Sequence, residues 1–289
     1  NFTRTDMTVG GCITQGSRGV RGGGPDARSE GKGLHDDLRS VNATIADGSG
    51  GTPYRGDIGI VDGKLVAVGD APGDAESTID AAGHVVAPGF VDIHTHYDAQ
   101  VIWDRMLTIS PWHGVTTVVM GNCGFSVAPT RPEHRDMMIR TLESVEGMTV
   151  AALQAGLGED WPFETFPEYL DAIEARGIAI NVAAMIGHTA LRPDVMGEDA
   201  TEREASAAES TRMRDLVGEA MTAGALGFAT SKAVTHVGYA GKPVSSRAAS
   251  FDEIRTIAGA LRDAGRGGVI QATVGPHLSY EQFSELNEV

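Results

Sequence analysis

The stretch that most constrains this chain is residues 87–100, where an apolar segment ends in two histidines one residue apart, His94 and His96. Residues 85–93 are rich in β-branched and aromatic types, which favours a buried strand. A strand that ends in His-x-His presents two imidazoles at its carboxyl end, where α/β barrels place their catalytic groups. Imidazole is a common ligand of zinc and its neighbours. We therefore interpret the pair as metal ligands, and the alternative is two histidines in a surface loop.

The composition limits the classes of function. With 289 residues and 41% hydrophobic content the chain can bury a sizeable core. Its net charge of −16 argues against nucleic acid or an anionic membrane as a partner, because both attract basic surfaces. The sequence has no apolar run long enough for a membrane span and no signal-peptide pattern, so we expect a cytoplasmic protein. Cys12 and Cys123 lie far apart and do not suggest a disulfide framework.

The pattern along the chain predicts three regions. Residues 1–38 are crowded with Gly, Arg, Ser and Asp without a hydrophobic period, which favours a disordered or non-native leader. Residues 39–84 contain short strands between Gly-containing turns, including an Asp-Gly hairpin signal at 61–64, and predict a small β-sandwich-like module. In residues 85–289 strands alternate with helical stretches, which indicates parallel βαβ units.

The fold class expected for the third region is an α/β barrel of the TIM type. The predicted strands are residues 85–93, 116–120, 178–185, 225–229 and 269–273. The predicted helices are residues 166–176, 202–223 and 251–264, each followed by a short loop that contains Gly. Because a closed barrel needs eight units and five fit, we predict an incomplete barrel, with an open sheet as the alternative.

A second candidate ligand follows the second predicted strand. Cys123 lies in the sequence Gly-Asn-Cys-Gly of residues 121–124. If the strands are parallel neighbours, its thiolate lies at the same edge as His94 and His96 and would bind zinc tightly. A lone cysteine is more often buried and inert. The flanking glycines favour the functional interpretation, since they open the backbone to a ligand or metal.

Two motifs give this chain a specific resemblance. Residues 94–100, His-Thr-His-Tyr-Asp-Ala-Gln, and residues 114–124, Gly-Val-Thr-Thr-Val-Val-Met-Gly-Asn-Cys-Gly, resemble the N-acyl-D-amino-acid deacylases of the amidohydrolase superfamily. Residues 42–48 and 87–92 are similar to the amino-terminal strands of that superfamily. The resemblance covers roughly residues 41–275.

This resemblance implies a metal-dependent amidohydrolase that cleaves a linear amide, with an N-acyl-D-amino acid as its small-molecule substrate. It also implies that His94, His96 and Cys123 bind one or two Zn²⁺ ions, with the cysteine in place of the carbamylated lysine of many relatives. A bound metal ion lowers the pKa of water to about 7 and polarises the carbonyl under attack.

The chain also departs from the family pattern. The family has a further metal-binding His in a His-x-Arg context at the end of strand five, whereas residues 269–274 read Val-Ile-Gln-Ala-Thr-Val. The aspartate that transfers protons in the family is expected beyond Val289. A catalytically inactive binding or scaffold protein is therefore an alternative hypothesis.

Lys232 motivates another alternative, a hydantoinase-like cyclic amidase. It follows the fourth predicted strand, where relatives that use a carbamylated lysine place it. A carbamylated Lys232 at the metal would favour this function. The simpler interpretation of Lys232 is a surface or substrate-facing ammonium group.

Four further polar residues lie near the predicted strand ends. Asp98 is a candidate to brace a metal-ligating histidine, or else an N-cap. His188 is a candidate to orient substrate or complete a metal site, although a carbonyl could satisfy its ring equally well. Arg192 suits a substrate carboxylate, with a solvent-exposed salt bridge as the alternative. We assign no role to His236.

Overall fold

The computed structural model describes residues 36–265, 267–275 and 279–287. The predicted leader therefore lies outside the described residues, except that its last three residues begin the first strand. The described chain forms two compact units, one of residues 36–90 and 113–116 and the other of the remaining residues. No helix in the described part of the chain is both long and apolar enough to cross a membrane.

The first unit contains one mixed β-sheet. Its strands are β1 (Asp36–Ile45), β2 (Tyr54–Val61), β3 (Lys64–Gly69), β4 (Ala75–Asp80) and β5 (Val85–Val86). The order is β3-β2-β1-β4, and β5 also pairs with β1. β1 runs antiparallel to β2 and parallel to β4 and β5. In the described residues this module is therefore a single sheet and not the predicted β-sandwich-like module.

The hairpin between β2 and β3 forms as the sequence predicts. Asp62 and Gly63 have φ of +49° and +69°, the left-handed values that a tight two-residue turn requires. Apolar side chains alternate along the strands, and one face of the sheet buries Ala43, Ile45 and Ile58. Burial of this face stabilises a module that otherwise has little core.

The rest of the described chain is an α/β structure. Its strands are β6 (Phe90–Asp92), β7 (Val115–Met120), β8 (Asn181–Gly187), β9 (Gly227–Ser231) and β10 (Val269–Thr273). Its helices are α1 (Arg135–Glu146), α2 (Val150–Leu157), α3 (Phe166–Arg176), α4 (His188–Met196), α5 (Ala207–Ala223), α6 (Phe251–Asp263) and α7 (Tyr280–Asn287). The prediction of alternating strands and helices is confirmed.

The five strands form one sheet in chain order, β6-β7-β8-β9-β10. β7 to β10 pair in parallel, so their carboxyl ends lie at one edge. This is the strand order of successive units of a (β/α) barrel, which closes with eight strands. The prediction of an incomplete barrel is therefore confirmed for these residues.

Local sequence signals explain where the helices begin and end. Thr165 and Glu168 form a capping box at the start of α3, and Ser206 and Glu209 form another at the start of α5. α3 ends at Gly177, which has φ of +69°. These signals determine where the helices begin and end between the strands. The carboxyl ends of the strands are then available to form a site.

The prediction of one buried strand over residues 85–93 is wrong. β5 and β6 are separate, and Pro88 lies between them without an N–H to continue a ladder. β6 is the edge of the described sheet, and Ile93 beyond its end is 73% exposed. The apolar types along this segment indicated extended structure correctly, but they did not reveal how many neighbours it has.

Candidate metal centre

The loop after β6 presents the two histidines on one side. The backbone N–H and the hydroxyl of Thr95 both donate to the carbonyl oxygen of Val119, at 3.0 and 2.8 Å. Thr95 is buried, and alternate residues of an extended segment point the same way. His94 and His96 therefore face together, with ring centroids 5.3 Å apart.

A tight turn after β7 brings Cys123 to this pair. Gly121 has φ of +83° and Cys123 has φ of +56°, which turns the chain sharply after the strand. The side-chain amide of Asn122 donates to the carbonyl oxygen of Val119 at 2.9 Å and fixes the turn. As a result Cys123 Sγ lies 3.3 Å from His94 Nε2.

Gly121→Ala tests how strictly this turn is required. A Cβ at Gly121 would lie 2.0 Å from the carbonyl oxygen of Met185, in addition to the left-handed φ. We expect a loss of about 2–5 kcal/mol in the free energy of unfolding, from a positive φ and a forced backbone shift together. Gly265 has φ of +68° with nothing within 4 Å of its Cβ position, so Gly265→Ala should cost only about 1 kcal/mol. Equal losses in urea denaturation would contradict the steric argument.

The donor atoms of His94, His96 and Cys123 fit a metal ion. One ligand atom from each lies within 4.8 Å of the others. Two bonds to zinc at a tetrahedral angle separate sulfur from nitrogen by about 3.6 Å, close to the observed contact between Cys123 and His94. Two imidazoles and a thiol are ligand types that zinc prefers.

The charge state of the centre suits a cation. Burial, together with the neighbouring His94 and His236, lowers the pKa of His96 to about 4, so its ring is neutral and keeps a lone pair near pH 7. Burial raises the pKa of the Cys123 thiol, and the Thr273 hydroxyl partly offsets this effect. Metal binding releases the thiol proton, because the ligand form is the thiolate.

Glu146 is a residue of this site that the sequence reasoning missed. It is the last residue of α1, and its Oε1 lies 3.3 Å from His96 Nδ1, outside hydrogen-bond alignment. Burial raises the pKa of its carboxyl to about 7. One signal was available, since an acidic residue in the last turn opposes the helix dipole and is unfavourable for stability alone.

Gln271 and Thr273 on β10 occupy the region where the resemblance places a further histidine. Gln271 Oε1 accepts a hydrogen bond from the Cys123 N–H at 2.7 Å. The Thr273 hydroxyl donates to Cys123 Sγ at 3.3 Å. The sequence shows that the expected ligand is missing here but does not reveal these two contacts, and His277 lies outside the described residues.

Asp98 connects the two loops of the site. Its buried side chain accepts a hydrogen bond from the Gly121 N–H at 3.1 Å, and the N-cap of the helical turn that follows is Ala99 rather than Asp98. Burial raises the pKa of this carboxyl to about 7. The hydroxyl of Tyr169 donates to the Asp98 carbonyl oxygen at 2.8 Å. Asp98 thus braces the turn that carries Cys123, and a role beside a ligating histidine stays a prediction.

His188 and Arg192 lie together in the interior. His188 Nδ1 lies 2.8 Å from Thr230 Oγ1, and its Nε2 lies 2.8 Å from Glu253 Oε1. The guanidinium of Arg192 contacts both oxygens of Glu253 and two backbone carbonyl oxygens. Neither His188 nor Arg192 is exposed, so the alternative of a solvent-exposed salt bridge for Arg192 is wrong. Both residues are engaged in one buried ionic network.

The ammonium group of Lys232 bonds to backbone carbonyl oxygens rather than serving as a metal ligand. It donates hydrogen bonds to the carbonyl oxygens of Arg247, at 2.8 Å, and Ala249. Burial is the main cause of the lowered pKa of this group. An ammonium donor matches two carbonyl acceptors, whereas a carbamate oxygen does not. The described structure therefore uses Lys232 to hold the loop before α6.

His236 packs beside the cluster through Phe125. The Phe125 ring centroid lies 5.4 Å from that of His236 and 6.3 Å from that of His96. Ser231 Oγ lies 2.8 Å from His236 Nδ1. The structure thus places His236 near the metal-ligand candidates without joining it to them.

Comparison with known proteins gives consistent relatives. Residues 77–289 match the model described as Amidohydrolase family. The D-aminoacylase of Alcaligenes xylosoxydans xylosoxydans is 39% identical over 195 residues, which are 67% of this chain and 37% of that protein. The N-acyl-D-aspartate deacylase of the same organism is 38% identical over 244 residues, 82% of this chain and 43% of that protein.

A solved structure agrees with the fold. The crystal structure of N-acyl-D-glutamate deacylase from Bordetella bronchiseptica, complexed with zinc and a phosphonate mimic of the tetrahedral intermediate, superposes with a TM-score of 0.66 at 31% identity. The match covers 88% of this chain and 48% of that one. The chain thus spans less than half the length of each of these three relatives. The expected fold and resemblance are confirmed.

Proposed function

The chain belongs to the amidohydrolase family, and from this premise we propose that the protein removes the acyl group of an N-acyl-D-amino acid in a zinc-dependent hydrolysis. The observation that supports this proposal most is the convergence of His94, His96 and Cys123 within 4.8 Å at the ends of two neighbouring strands. The similarity to a D-aminoacylase and to an N-acyl-D-aspartate deacylase also supports the proposal.

The three side chains would hold the metal ion, each with a distinct property. His94 is exposed and faces incoming substrate, whereas His96 is half-buried with a neutral ring. Cys123 supplies negative charge once its proton has left. A bound zinc ion supplies Lewis acidity and a water of lowered pKa. Glu146 offers a carboxylate to the far side of His96, the kind of contact that orients ligating histidines.

An adjoining cavity offers a place for the apolar part of a substrate. It has a volume of about 390 Å³. Its wall includes Phe125, which also packs against His96, together with Met137 and Tyr239. Thr130 Oγ1 and His134 Nδ1 are buried atoms of lining residues with no hydrogen-bond partner among the described residues. An apolar cavity with two such polar atoms suits a small acyl or side-chain group.

The two alternatives receive less support. A hydantoinase-like function would use a carbamylated Lys232 at the metal, but its nitrogen donates to carbonyl oxygens of Arg247 and Ala249 instead. A scaffold protein without catalysis would not need two histidines and a cysteine to converge. The convergence of these three side chains therefore favours hydrolysis over both.

The proposed function is tested by assaying the zinc-loaded protein with N-acetyl-D-amino acids. We expect release of acetate, loss of activity after treatment with a chelator, and recovery when Zn²⁺ is restored. The L-enantiomers and a cyclic dihydropyrimidine serve as comparison substrates and should react more slowly. Zinc binding without turnover of any N-acyl-D-amino acid would overturn the proposal in favour of the scaffold hypothesis.

A further inference from the structure

Three hydrogen bonds join Cys123 to the end of β10 in a closed ring. The Cys123 N–H donates to Gln271 Oε1 at 2.7 Å, Gln271 Nε2 donates to Thr273 Oγ1 at 3.0 Å, and Thr273 Oγ1 donates to Cys123 Sγ at 3.3 Å. The cysteine lies 148 residues before Gln271 in the chain. The ring is thus a tertiary contact rather than a product of the local turn.

The chemistry of the groups fixes the direction of each bond. A backbone N–H can only donate, so the Gln271 carbonyl oxygen must face Cys123 and its amide nitrogen must face Thr273. The Thr273 oxygen then accepts one bond, and its own proton points to the sulfur. A sulfur that has lost its proton on binding a metal ion can still accept this bond.

The backbone of Cys123 gains from the same ring. Its φ of +56° lies in the left-handed region, which is uncommon for a residue with a side chain. The bond from its N–H to Gln271 helps to hold this conformation. The ring therefore fixes where the sulfur lies.

We propose that Gln271 and Thr273 are positioning residues of the metal centre, which hold Cys123 in its ligand position from the strand where the resemblance places a metal-binding histidine. The inference rests on the proposed function, because it requires a metal ion at His94, His96 and Cys123. In this chain β10 then contributes hydrogen bonds to a ligand instead of a ligand.

The test uses Co²⁺ as a spectroscopic probe in the wild type, Thr273→Val and Thr273→Ser. Valine keeps the shape of threonine and removes the donor, whereas serine keeps the donor. Loss of a contact of this kind typically weakens metal affinity by about 10–100-fold, and we expect this loss for Thr273→Val. The sulfur-to-cobalt charge-transfer band should also move to lower energy, because the sulfur electrons are no longer stabilised. Thr273→Ser should restore both properties.

Two controls separate positioning from general damage. Thr117 lies on β7 and accepts a bond from the Asn181 side chain, so Thr117→Val removes a strand hydroxyl elsewhere and should leave the cobalt band unchanged. Gln271→Met, which removes both amide bonds, should weaken Co²⁺ binding even if Thr273→Val folds poorly. Thermal melting of the metal-free proteins reports whether each variant is folded.

The outcomes distinguish the two proposals. A wild type with a thiolate-to-cobalt band and a folded Thr273→Val with the same band and affinity would overturn this inference alone. A wild type that binds Co²⁺ with no thiolate band, or binds none, would overturn the proposed function and the inference with it. A weakened, shifted band that Thr273→Ser restores would support both.

Discussion

Glu253→Gln is expected to lower the free energy of unfolding by about 3–5 kcal/mol, because it leaves the guanidinium of Arg192 buried without an opposite charge. Arg192 and Glu253 are both almost completely buried and bond to each other, and Glu253 also bonds to His188. Glutamine has nearly the same shape and still accepts a hydrogen bond. The loss therefore reports mainly the removed charge, and urea denaturation of the metal-free protein measures it.

An exposed ion pair provides the matched control. Glu202 pairs with Lys242 at 2.7 Å, and both side chains are more than half exposed. Glu202→Gln removes a carboxylate whose charge is screened by water. It should lower the free energy of unfolding by less than about 1 kcal/mol. If Glu253→Gln also cost less than 1 kcal/mol, the buried network would not be a structural element of α4 and α6, and a substrate-binding role for Arg192 would again be open.

Cys123→Ala and His94→Ala are expected to abolish stoichiometric zinc binding at micromolar metal and, with it, hydrolysis. Zinc sites with four protein ligands are worth roughly 10–16 kcal/mol, or about 3 kcal/mol for each ligand. Removal of one ligand should thus weaken binding by about 100-fold. Competition with a chromophoric chelator measures the affinity, and elemental analysis measures the metal content.

A histidine outside the cluster controls for non-specific zinc binding. His84 is exposed, and its Nδ1 lies 3.2 Å from the Ala82 carbonyl oxygen. His84→Ala should therefore keep the zinc content and affinity of the wild type. Unchanged zinc affinity in Cys123→Ala would show that the metal binds elsewhere and would remove the basis of the proposed chemistry.

The sequence was sufficient to predict the candidate ligands because their placement depends on local patterns. His94 and His96 follow an extended segment, and Cys123 follows the next strand. Neighbouring strands in a parallel sheet bring such residues together without further information. The structure does bring the three side chains together, while their binding of a metal stays a prediction.

The residues around these ligands depend on tertiary structure that no local pattern encodes. Glu146 reaches His96 from the end of α1, and Thr273 reaches Cys123 across 150 residues. His188 and Arg192 looked like site residues because they follow a strand. Glu253 on α6, which the sequence did not single out, engages both of them.

The predicted strand boundaries are inexact for the same reason, because they also depend on tertiary structure. β8 and β9 each end two residues later than predicted, at Gly187 and Ser231. Apolar composition marks a strand, but hydrogen bonds to its neighbours decide where it ends. For the same reason, the exposure of β6 could not be read from its apolar residues.

X-ray absorption at the zinc edge of the zinc-loaded protein tests directly whether these three residues bind one zinc ion. We expect one sulfur ligand at about 2.3 Å and two imidazole nitrogens at about 2.0–2.1 Å. We also expect the sulfur contribution to disappear in Cys123→Ser. A zinc environment of nitrogen and oxygen only in the wild type would contradict the assignment of His94, His96 and Cys123 as one metal centre.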